Sequence, residues 1–467
     1  MAAPPISGVA CAPRMLPEPL RRAILWASDF VWGPWTLVML LGAGLFLTVR
    51  YRFAQVRLFP EAARTLVPAQ QEGARGALSP FQAFMTALGA SIGTGNIAGV
   101  ATAVVSGGPG AVFWIWVYGF FATVIKLTEA ILGIRYRSLK DGHLSAGPMH
   151  YLREGLRSPT LAWIYALVAG IAALTTTPFT QPNSMAVVLE SQFHIPTWAS
   201  GLGIAVLAWL VIIGGVRSIG RAAEALAPLK VGLYLVGGLW VILFHAGQIP
   251  DVFALIFREA FSLEGARGGT AGVSVMIAMR YGLARGIYAN EAGYGTAAVA
   301  YGTARSEQPL QQGLNAVMEV FIVSFVTSTI SALTILVSGV WQSGKTSTAL
   351  VASAFDTAIP VGGWVVAFCA FLFGYTTLTG WAYYGEQFLE YIGGPKITKP
   401  YRWIYCGLIY FGAVSKPELV WAWGDLMNGL QIFPNMVGII GLSGVVAAIL
   451  RERSQAQALG TSATGPS

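Results

Sequence analysis

The chain has 467 residues, of which 55% are hydrophobic and only 11% charged, and its formal net charge is +8. A soluble domain carries about 25% charged residues, so this chain has too little polar surface to face water along its whole length. The composition excludes an ordinary soluble globular protein and predicts an all-α membrane protein that is embedded in a lipid bilayer.

The positive charge does not predict a nucleic-acid partner. The basic residues lie in short loops between apolar segments, which is the pattern that orients membrane proteins. The three cysteines are far apart and form no CxxC pair, and the four histidines lack metal-ligand spacing. Neither a disulfide framework nor a transition-metal site is therefore expected.

Eleven segments are apolar and long enough to suggest membrane spans, since a helix needs about 20 apolar residues to cross the hydrocarbon core. In chain order they are residues 30–49, 80–105, 111–134, 161–180, 197–216, 226–246, 272–300, 313–340, 361–391, 401–414 and 420–450. The predicted organisation is a single transmembrane domain over residues 30–450. A flexible N-terminal segment, 1–29, precedes it, and a disordered tail, 451–467, follows it.

The loop charges predict the orientation of these spans. With the N-terminus outside, 18 Lys and Arg residues fall in inside loops and 7 outside, while Lys126, Lys230, Arg280 and Arg285 fall within spans. Cytoplasmic loops carry an excess of Lys and Arg, so this choice is favoured over its inverse. An odd number of spans then places the C-terminus in the cytoplasm.

Two of the segments contain polar, glycine-rich interruptions. The second has GASIGTGNIAG at 89–99, and the seventh has RGIYANEAGYG at 285–295. Glycine weakens a helix, and broken backbone inside a membrane occurs where it lines a cavity or binds a ligand. The segments are five apart, which matches a fold of two inverted five-helix repeats preceded by one extra helix. Taken alone, either glycine cluster could instead serve close helix packing through small residues.

These residues resemble a known family, the alanine or glycine:cation symporters, which belong to the amino acid–polyamine–organocation superfamily and have a LeuT-type fold. The similar motifs run from about residue 30 to 450. They are WGP (32–34), RFAQVRLF (52–59), FQAF (81–84), GTGNIAGVATA (93–103), GGPGAVFW (107–114), GPMHYL (147–152), ARGIYANEAG (284–293), GWAYYGE (380–386) and PN (434–435).

The resemblance implies a secondary transporter of the plasma (inner) membrane that takes up small neutral amino acids such as alanine or glycine with sodium or, less often, protons. It implies carboxylate contacts at the Thr94 and Gly95 amides. Further substrate-pocket positions implied by the family are Gln181, Asn183, Tyr288, Asn290, Glu291 and Trp381. By analogy with the wider fold, Na⁺ would bind the carbonyls of Gly89 and Ile92 and the hydroxyls of Thr376 and Thr377. The alternative for the two threonines is a hydrogen bond back to the carbonyls of their own helix.

The chain departs from the family pattern in the eighth span, where Val323-Ser324 stands in place of the usual Asp-Thr. The loss of a carboxylate at this position affects either ion coupling or packing. His150, Tyr294 and Tyr301 also stand where the family has other residues. These departures bear on the substrate and the cation more than on the fold.

Several candidate residues have two interpretations. Carboxylates inside a bilayer are usually paired and functional, so Glu291 binds the substrate ammonium or a cation, or it forms a structural pair with Arg285 or with helix-end N–H groups. Gln181 and Asn183 line the pocket or cap a span end. Trp381 is a pocket wall that limits side-chain size or an interfacial residue. Lys126 and Glu129, three residues apart, are expected to face one another or a neighbouring helix.

Other function classes fit less well. The sequence has no HExxH, no GxSxG and no clustered carboxylates within spans, so it does not predict an enzyme. A channel needs a continuous pore, whereas paired helix interruptions favour alternating access. A transporter-like receptor without uptake and a symporter of another small substrate stay open as alternatives. The sequence does not decide the amino acid, its chirality, the ion, the stoichiometry or the oligomeric state.

Overall fold

A computed structural model describes residues 18–66, 73–140, 143–261 and 272–458, and these are almost entirely helical. The helices are α1 (Glu18–Val31), α2 (Pro34–Arg50), α3 (Ala54–Arg57), α4 (Phe59–Arg64), α5 (Pro80–Ser91), α6 (Ala98–Gly107), α7 (Ala111–Arg135), α8 (Pro148–His150), α9 (Pro159–Thr175), α10 (Thr177–Phe193), α11 (Thr197–Ile212), α12 (Gly215–Phe244), α13 (Ile249–Phe261), α14 (Gly272–Asn290), α15 (Thr296–Gly302), α16 (Pro309–Val320), α17 (Ser328–Val337), α18 (Ser347–Asp356), α19 (Gly362–Gly393), α20 (Thr398–Val414), α21 (Pro417–Gly441) and α22 (Ser443–Ala458). One antiparallel hairpin, β1 (Ser138–Lys140) and β2 (His143–Ser145), pairs Leu139 with Leu144.

Within the described ranges, six helical stretches are long and apolar enough to cross a membrane. They are Glu18–Arg50, Ala111–Arg135, Pro159–Phe193, Gly215–Phe244, Pro309–Val337 and Gly362–Gly393. Two bent helix pairs raise this number to eight when each pair is taken as one span. All eight coincide with predicted segments, which agrees with the all-α membrane class. The count of about eleven spans stays a prediction.

The first helix, α1, packs against α21. Trp32, between α1 and α2, donates its indole N–H to the carbonyl of Asp425 in α21 at 2.8 Å. Ile24 and Val31 are buried, while Trp26 is exposed. This one-sided pattern gives helix over 18–29, where the sequence suggested a flexible segment. At the other end α22 continues to Ala458, past the predicted start of the tail at 451. Residues 1–17 and 459–467 lie outside the described residues.

The second predicted span is a broken helix. Helix α5 starts with a capping box, in which Ser79 and Gln82 each bond the other's backbone N–H, and ends at Ser91. The chain then makes a short 3₁₀ turn, Thr94–Asn96, before α6, and the two halves are bent by 56°. Glycine is needed in this turn, because a Cβ added at Gly95 would lie 2.7 Å from the Tyr288 ring.

The seventh predicted span is also broken, at residues 291–295 between α14 and α15. Glu291, Gly293 and Gly295 have φ values of 57°, 100° and 86°, in the left-handed region that ends helices. The ring of Tyr288 in α14 lies against Gly95, so the two breaks face each other. Helix α19 passes both, since its Thr377 bonds the Ala90 carbonyl and its Trp381 bonds Glu291.

Candidate functional site

A small cavity lies between the two helix breaks. It brings together five of the predicted substrate-binding residues: Gly95, Gln181, Tyr288, Glu291 and Trp381. The other lining residues are Ala90, Ser91, Gly93, Thr177, Tyr294, Thr377 and Asn428. Residues from five separate helices and both breaks therefore converge on one space, as in the midplane sites of transporters with broken helices.

The amide oxygen of Gln181 holds the turn of the first break. It accepts from the backbone N–H of Thr94 at 3.2 Å and from the Thr94 hydroxyl at 2.9 Å. Thr94 is fully buried and bonded to Gln181, so its N–H is engaged by the protein itself in this conformation. The Gln181 oxygen thus stands where a carboxylate oxygen could accept the same two donors.

Glu291, at the second break, is held by neutral donors. Its carboxylate accepts from the Trp381 indole N–H at 2.6 Å and from the Thr296 hydroxyl at 2.9 Å. Arg285 does not pair with it and instead contacts Asp425 at 3.5 Å. Of the alternatives for Glu291, the structural pair with Arg285 is therefore wrong. The left-handed turn at Glu291 leaves the helix on which Arg285 faces α21.

The other predicted substrate residues support the surrounding helices. Asn183 donates its amide to the carbonyls of Gly412 and Ser415, at the end of α20, and does not line the cavity. Asn290 donates to Ser324 at 3.1 Å and accepts from the N–H of Ala292, which shapes the second break.

Side chains from elsewhere satisfy the open backbone groups of the second break. Glu129 of α7 accepts from the N–H groups of Gly293 and Gly295 at 2.9 and 3.1 Å. Further contacts to this break come from Lys126 to the Asn290 carbonyl, Tyr118 to that of Ala292, Asn435 to that of Gly293 and Tyr165 to that of Tyr294. Backbone groups inside a membrane must be paired, so these contacts keep the break stable.

Of the two expectations for Lys126 and Glu129, the structure shows the second, in which each faces neighbouring segments rather than the other. Lys126 forms an ion pair of 2.5 Å with Glu319 of α16, and both side chains are almost fully buried. Glu319 also accepts from Ser91 and from Tyr301, which is one of the departures from the family pattern. Lys126 thus contacts both helix breaks, through Ser91 and the Asn290 carbonyl, whereas Glu129 contacts the second break.

The predicted cation ligands surround a lysine. The Lys230 ammonium, from α12, donates to the carbonyls of Gly89 at 2.9 Å and Ile92 at 2.5 Å, and to the Thr376 hydroxyl. Thr377 donates to the carbonyls of Ala90, at 2.7 Å, and Gly89, at 3.3 Å. The four positions predicted to hold Na⁺ therefore come together, and three of them bind the side chain of Lys230.

Charged contacts lie on either side of the cavity. Arg285 and Asp425 are each one helical turn before a cavity residue, Tyr288 and Asn428 respectively, and the Arg285 guanidinium lies 5.7 Å from the centre of the Trp421 ring. This side corresponds to the outside of the predicted orientation.

At the opposite ends of the broken helices, Leu78 and Ala304 form a β-bridge. Arg75 and Arg137 both pair with Glu307, at 3.1 and 3.0 Å. Partial burial raises the pKa of the Glu307 carboxyl, but the two arginines outweigh it and hold that pKa below its ordinary value. This contact joins the ends of both broken helices on the predicted inside.

The sequence model of the sodium:alanine symporter family matches residues 18–464. The chain belongs to this family. It is 38% identical over 431 residues to the sodium/alanine symporter AgcS of Methanococcus maripaludis, an alignment that covers 90% of this chain and 94% of AgcS. It is 32% identical over 439 residues to the Bacillus subtilis protein named "Probable sodium/glutamine symporter GlnT", covering 93% of this chain and 91% of that protein.

The solved structure of MhsT in complex with L-phenylalanine superposes with a TM-score of 0.59 at 12% identity, over 81% of this chain and 99% of MhsT. This match confirms the LeuT-type fold that the paired breaks and the resemblance predicted. As a member of the sodium:alanine symporter family, the chain is a multi-pass membrane transporter and not an enzyme.

Sequence reasoning missed the charged residues that support the breaks in this family member. Lys126 was expected only to face Glu129 or a neighbouring helix, Lys230 stood out only as a cation within a span, and Glu319 was not singled out. Ionisable residues inside a membrane are rare and usually functional, so this rule alone could have selected them. Their partners were not predictable, because Lys230 and Gly89 are 141 positions apart.

Proposed function

We propose that this chain takes up a small neutral amino acid, such as alanine or glycine, in symport with a cation by alternating access. The observation that carries this proposal is the buried carboxylate of Glu291. It lines the cavity, and among the described residues no lysine or arginine forms an ion pair with it. A buried carboxylate without a cationic partner is costly, and a substrate ammonium would supply that partner.

The opposite end of the cavity suits the substrate carboxylate. The Gly95 amide belongs to the broken turn that lines the cavity, and the Thr94 N–H and hydroxyl converge on one oxygen of Gln181. Backbone N–H groups at helix ends favour anions. A zwitterion therefore has donors at one end of the cavity and a carboxylate at the other.

The walls favour a small substrate side chain. The Trp381 and Tyr288 rings line the cavity, and Tyr288 packs directly on Gly95. Both aromatic rings are large and rigid, so little space is left beyond the ammonium and carboxylate groups. We expect alanine and glycine to fit and larger side chains to be rejected. The relative GlnT is named for glutamine rather than alanine, so the substrate of this chain is to be measured directly.

Family membership favours sodium as the coupling cation, with the proton as the alternative. Access would alternate between the Arg285–Asp425 contact on one side and the Leu78–Ala304 bridge with Arg75–Glu307 on the other. With the N-terminus outside, the first contact is extracellular and the second cytoplasmic. The cell membrane is the expected location.

Uptake of radiolabelled alanine and glycine into proteoliposomes tests this function. An inward sodium gradient and an inward proton gradient are imposed separately, with Glu291→Gln as the inactive comparison. Accumulation with either gradient, lost in Glu291→Gln, supports the proposal. Binding without accumulation under both gradients would identify an amino-acid receptor. Absence of both binding and uptake would show that alanine and glycine are not its substrates.

A further inference from the structure

Outside the cavity, the Lys230 ammonium is a buried positive charge with an unusual set of hydrogen-bond partners. Its side chain is fully buried, and its three N–H groups meet the carbonyls of Gly89 and Ile92 and the hydroxyl of Thr376. Within the described part of the chain no carboxylate forms an ion pair with it. The charge is therefore held by neutral oxygens, and its hydrogen-bonding capacity is filled.

The geometry is that of a built site. Helix α12 approaches α5 closely through small residues, since a Cβ added at Gly89 would lie 3.8 Å from both Ala223 and Ala227. The ammonium also lies 5.1 Å from the centre of the Phe373 ring, whose face favours a cation. Backbone, hydroxyl and ring groups from α5 and α19 thus surround the ammonium of Lys230, which extends from α12.

A free cation would need the same oxygens. Carbonyls released where a membrane helix unwinds are the usual ligands of a coupling ion. The two carbonyls that bind Lys230 are released at the end of α5, and the Thr376 hydroxyl donates to one of them, that of Gly89, at 3.0 Å. Two positive charges within about 3 Å repel strongly where little water screens them, so Lys230 and a bound ion exclude each other here.

We propose that Lys230 is the resident cation of this site and takes the place of sodium. The chain then orders its first broken helix, and binds amino acid, without a sodium ion at this position. The amino-acid part of this inference rests on the proposed function. Any sodium that this transporter uses must bind elsewhere.

The test compares sodium with choline at equal ionic strength, in purified full-length protein. Thermal unfolding is measured first because it needs no substrate. Any rise of the wild-type midpoint in sodium reports an ion bound elsewhere in the protein and is the baseline for the variants. Lys230→Met keeps an unbranched side chain but removes the charge, so sodium is expected to raise its midpoint. Lys345→Met, in an exposed loop, is the matched control and should resemble the wild type.

Alanine binding in the same two salts is the second measurement. Relative to the effect of sodium on the wild type, sodium is expected to tighten alanine binding to Lys230→Met by a further factor of about ten or more, a coupling usual for linked sites. Loss of the wild-type sodium effect in Thr376→Val, which lacks the hydroxyl of this site, would place sodium here and overturn the inference, as would a sodium effect in Lys230→Met no larger than in the wild type. A folded Lys230→Met protein without any sodium response also overturns it. Failure of alanine to bind in every condition counts against the proposed function alone, because the unfolding comparison is independent of it.

Discussion

The indole N–H of Trp381 donates to the carboxylate of Glu291 at 2.6 Å, and this bond ties α19 to the break between α14 and α15. Both residues line the cavity. Trp381 thus orients the group that is proposed to receive the substrate ammonium, in addition to forming a wall.

Replacing Trp381 by Phe keeps an aromatic wall and removes this donor. A hydrogen bond to a charged group contributes about 1.5–3 kcal/mol, so alanine affinity is expected to fall by about tenfold or more. Equilibrium binding to the purified variant measures this. Trp364→Phe changes an exposed tryptophan on the same helix and should leave binding unchanged. Equal affinities in Trp381→Phe and the wild type would show that the Glu291 carboxylate needs no such support.

Gln181 offers a test of the carboxylate end. Gln181→Glu places a negative charge next to the Thr94 donors, where the substrate carboxylate is proposed to bind. Like charges repel in this buried space, so we expect alanine binding to weaken by at least about tenfold, while Gln181→Ala has a smaller effect. Gln248→Glu, in an exposed loop, is the matched control. A Gln181→Glu protein that binds alanine normally would place the carboxylate elsewhere.

The buried pair of Lys126 and Glu319 makes a prediction about stability. Glu319→Gln removes one partner and leaves the Lys126 charge uncompensated, which costs about 3–5 kcal/mol in buried pairs. Combining it with Lys126→Met should restore much of the loss, and thermal unfolding in a double-mutant cycle measures this coupling. The control Asp29→Asn breaks the exposed pair with Arg280, which is expected to lower the free energy of unfolding by at most about 1 kcal/mol. Simple additivity of the two buried changes would argue against the pair.

The Glu307 contacts predict a pH effect on the predicted cytoplasmic side. Because Arg75 and Arg137 lower the pKa of Glu307, the contact is complete above the ordinary glutamate pKa. It weakens as the pH falls through the lowered value, and Glu307→Gln reproduces that weakening at neutral pH. Added salt should also weaken the contact between Glu307 and Arg75, because the Arg75 side chain is exposed and its charge is screened.

Thiol labelling measures the opening of this side. Leu78 is buried and forms the β-bridge with Ala304, so a Leu78→Cys reporter, in a background whose native cysteines are replaced by serine, reacts only when this side opens. Glu307→Gln is expected to raise its labelling rate several-fold at neutral pH, whereas the exposed control Glu452→Gln should not. Unchanged labelling of the Glu307→Gln protein would remove this contact from the proposed gate.

Both helix breaks were predictable from the sequence, because glycine weakens a helix and polar groups in the middle of an apolar segment need partners that lipid does not offer. Three of the five predicted cavity residues, Gly95, Tyr288 and Glu291, belong to those two interrupted segments. Asn183 is different. It lies on α10 beside the cavity residue Gln181, but two positions along a helix point in different directions, and its amide meets the end of α20.

Ion pairs were the least predictable feature. Arg285 and Glu291 are close in sequence, yet the turn between α14 and α15 separates them, and Arg285 meets Asp425, which is 140 positions away. Lys126 and Glu319 are 193 positions apart. Such pairs are decided by how the helices pack, and one sequence shows the charges without showing which helices meet.

The position of Lys230 has a consequence for membrane voltage. An amino-acid zwitterion carries no net charge, whereas a sodium ion that crosses with it carries one, worth about 2.3 kcal/mol per 100 mV of potential. A charge that is covalently part of α12 returns with the protein in every cycle and is never delivered to the other side. If Lys230 replaces a mobile ion, this site moves no net charge across the membrane during uptake. The membrane potential then cannot drive accumulation of the amino acid by way of this site.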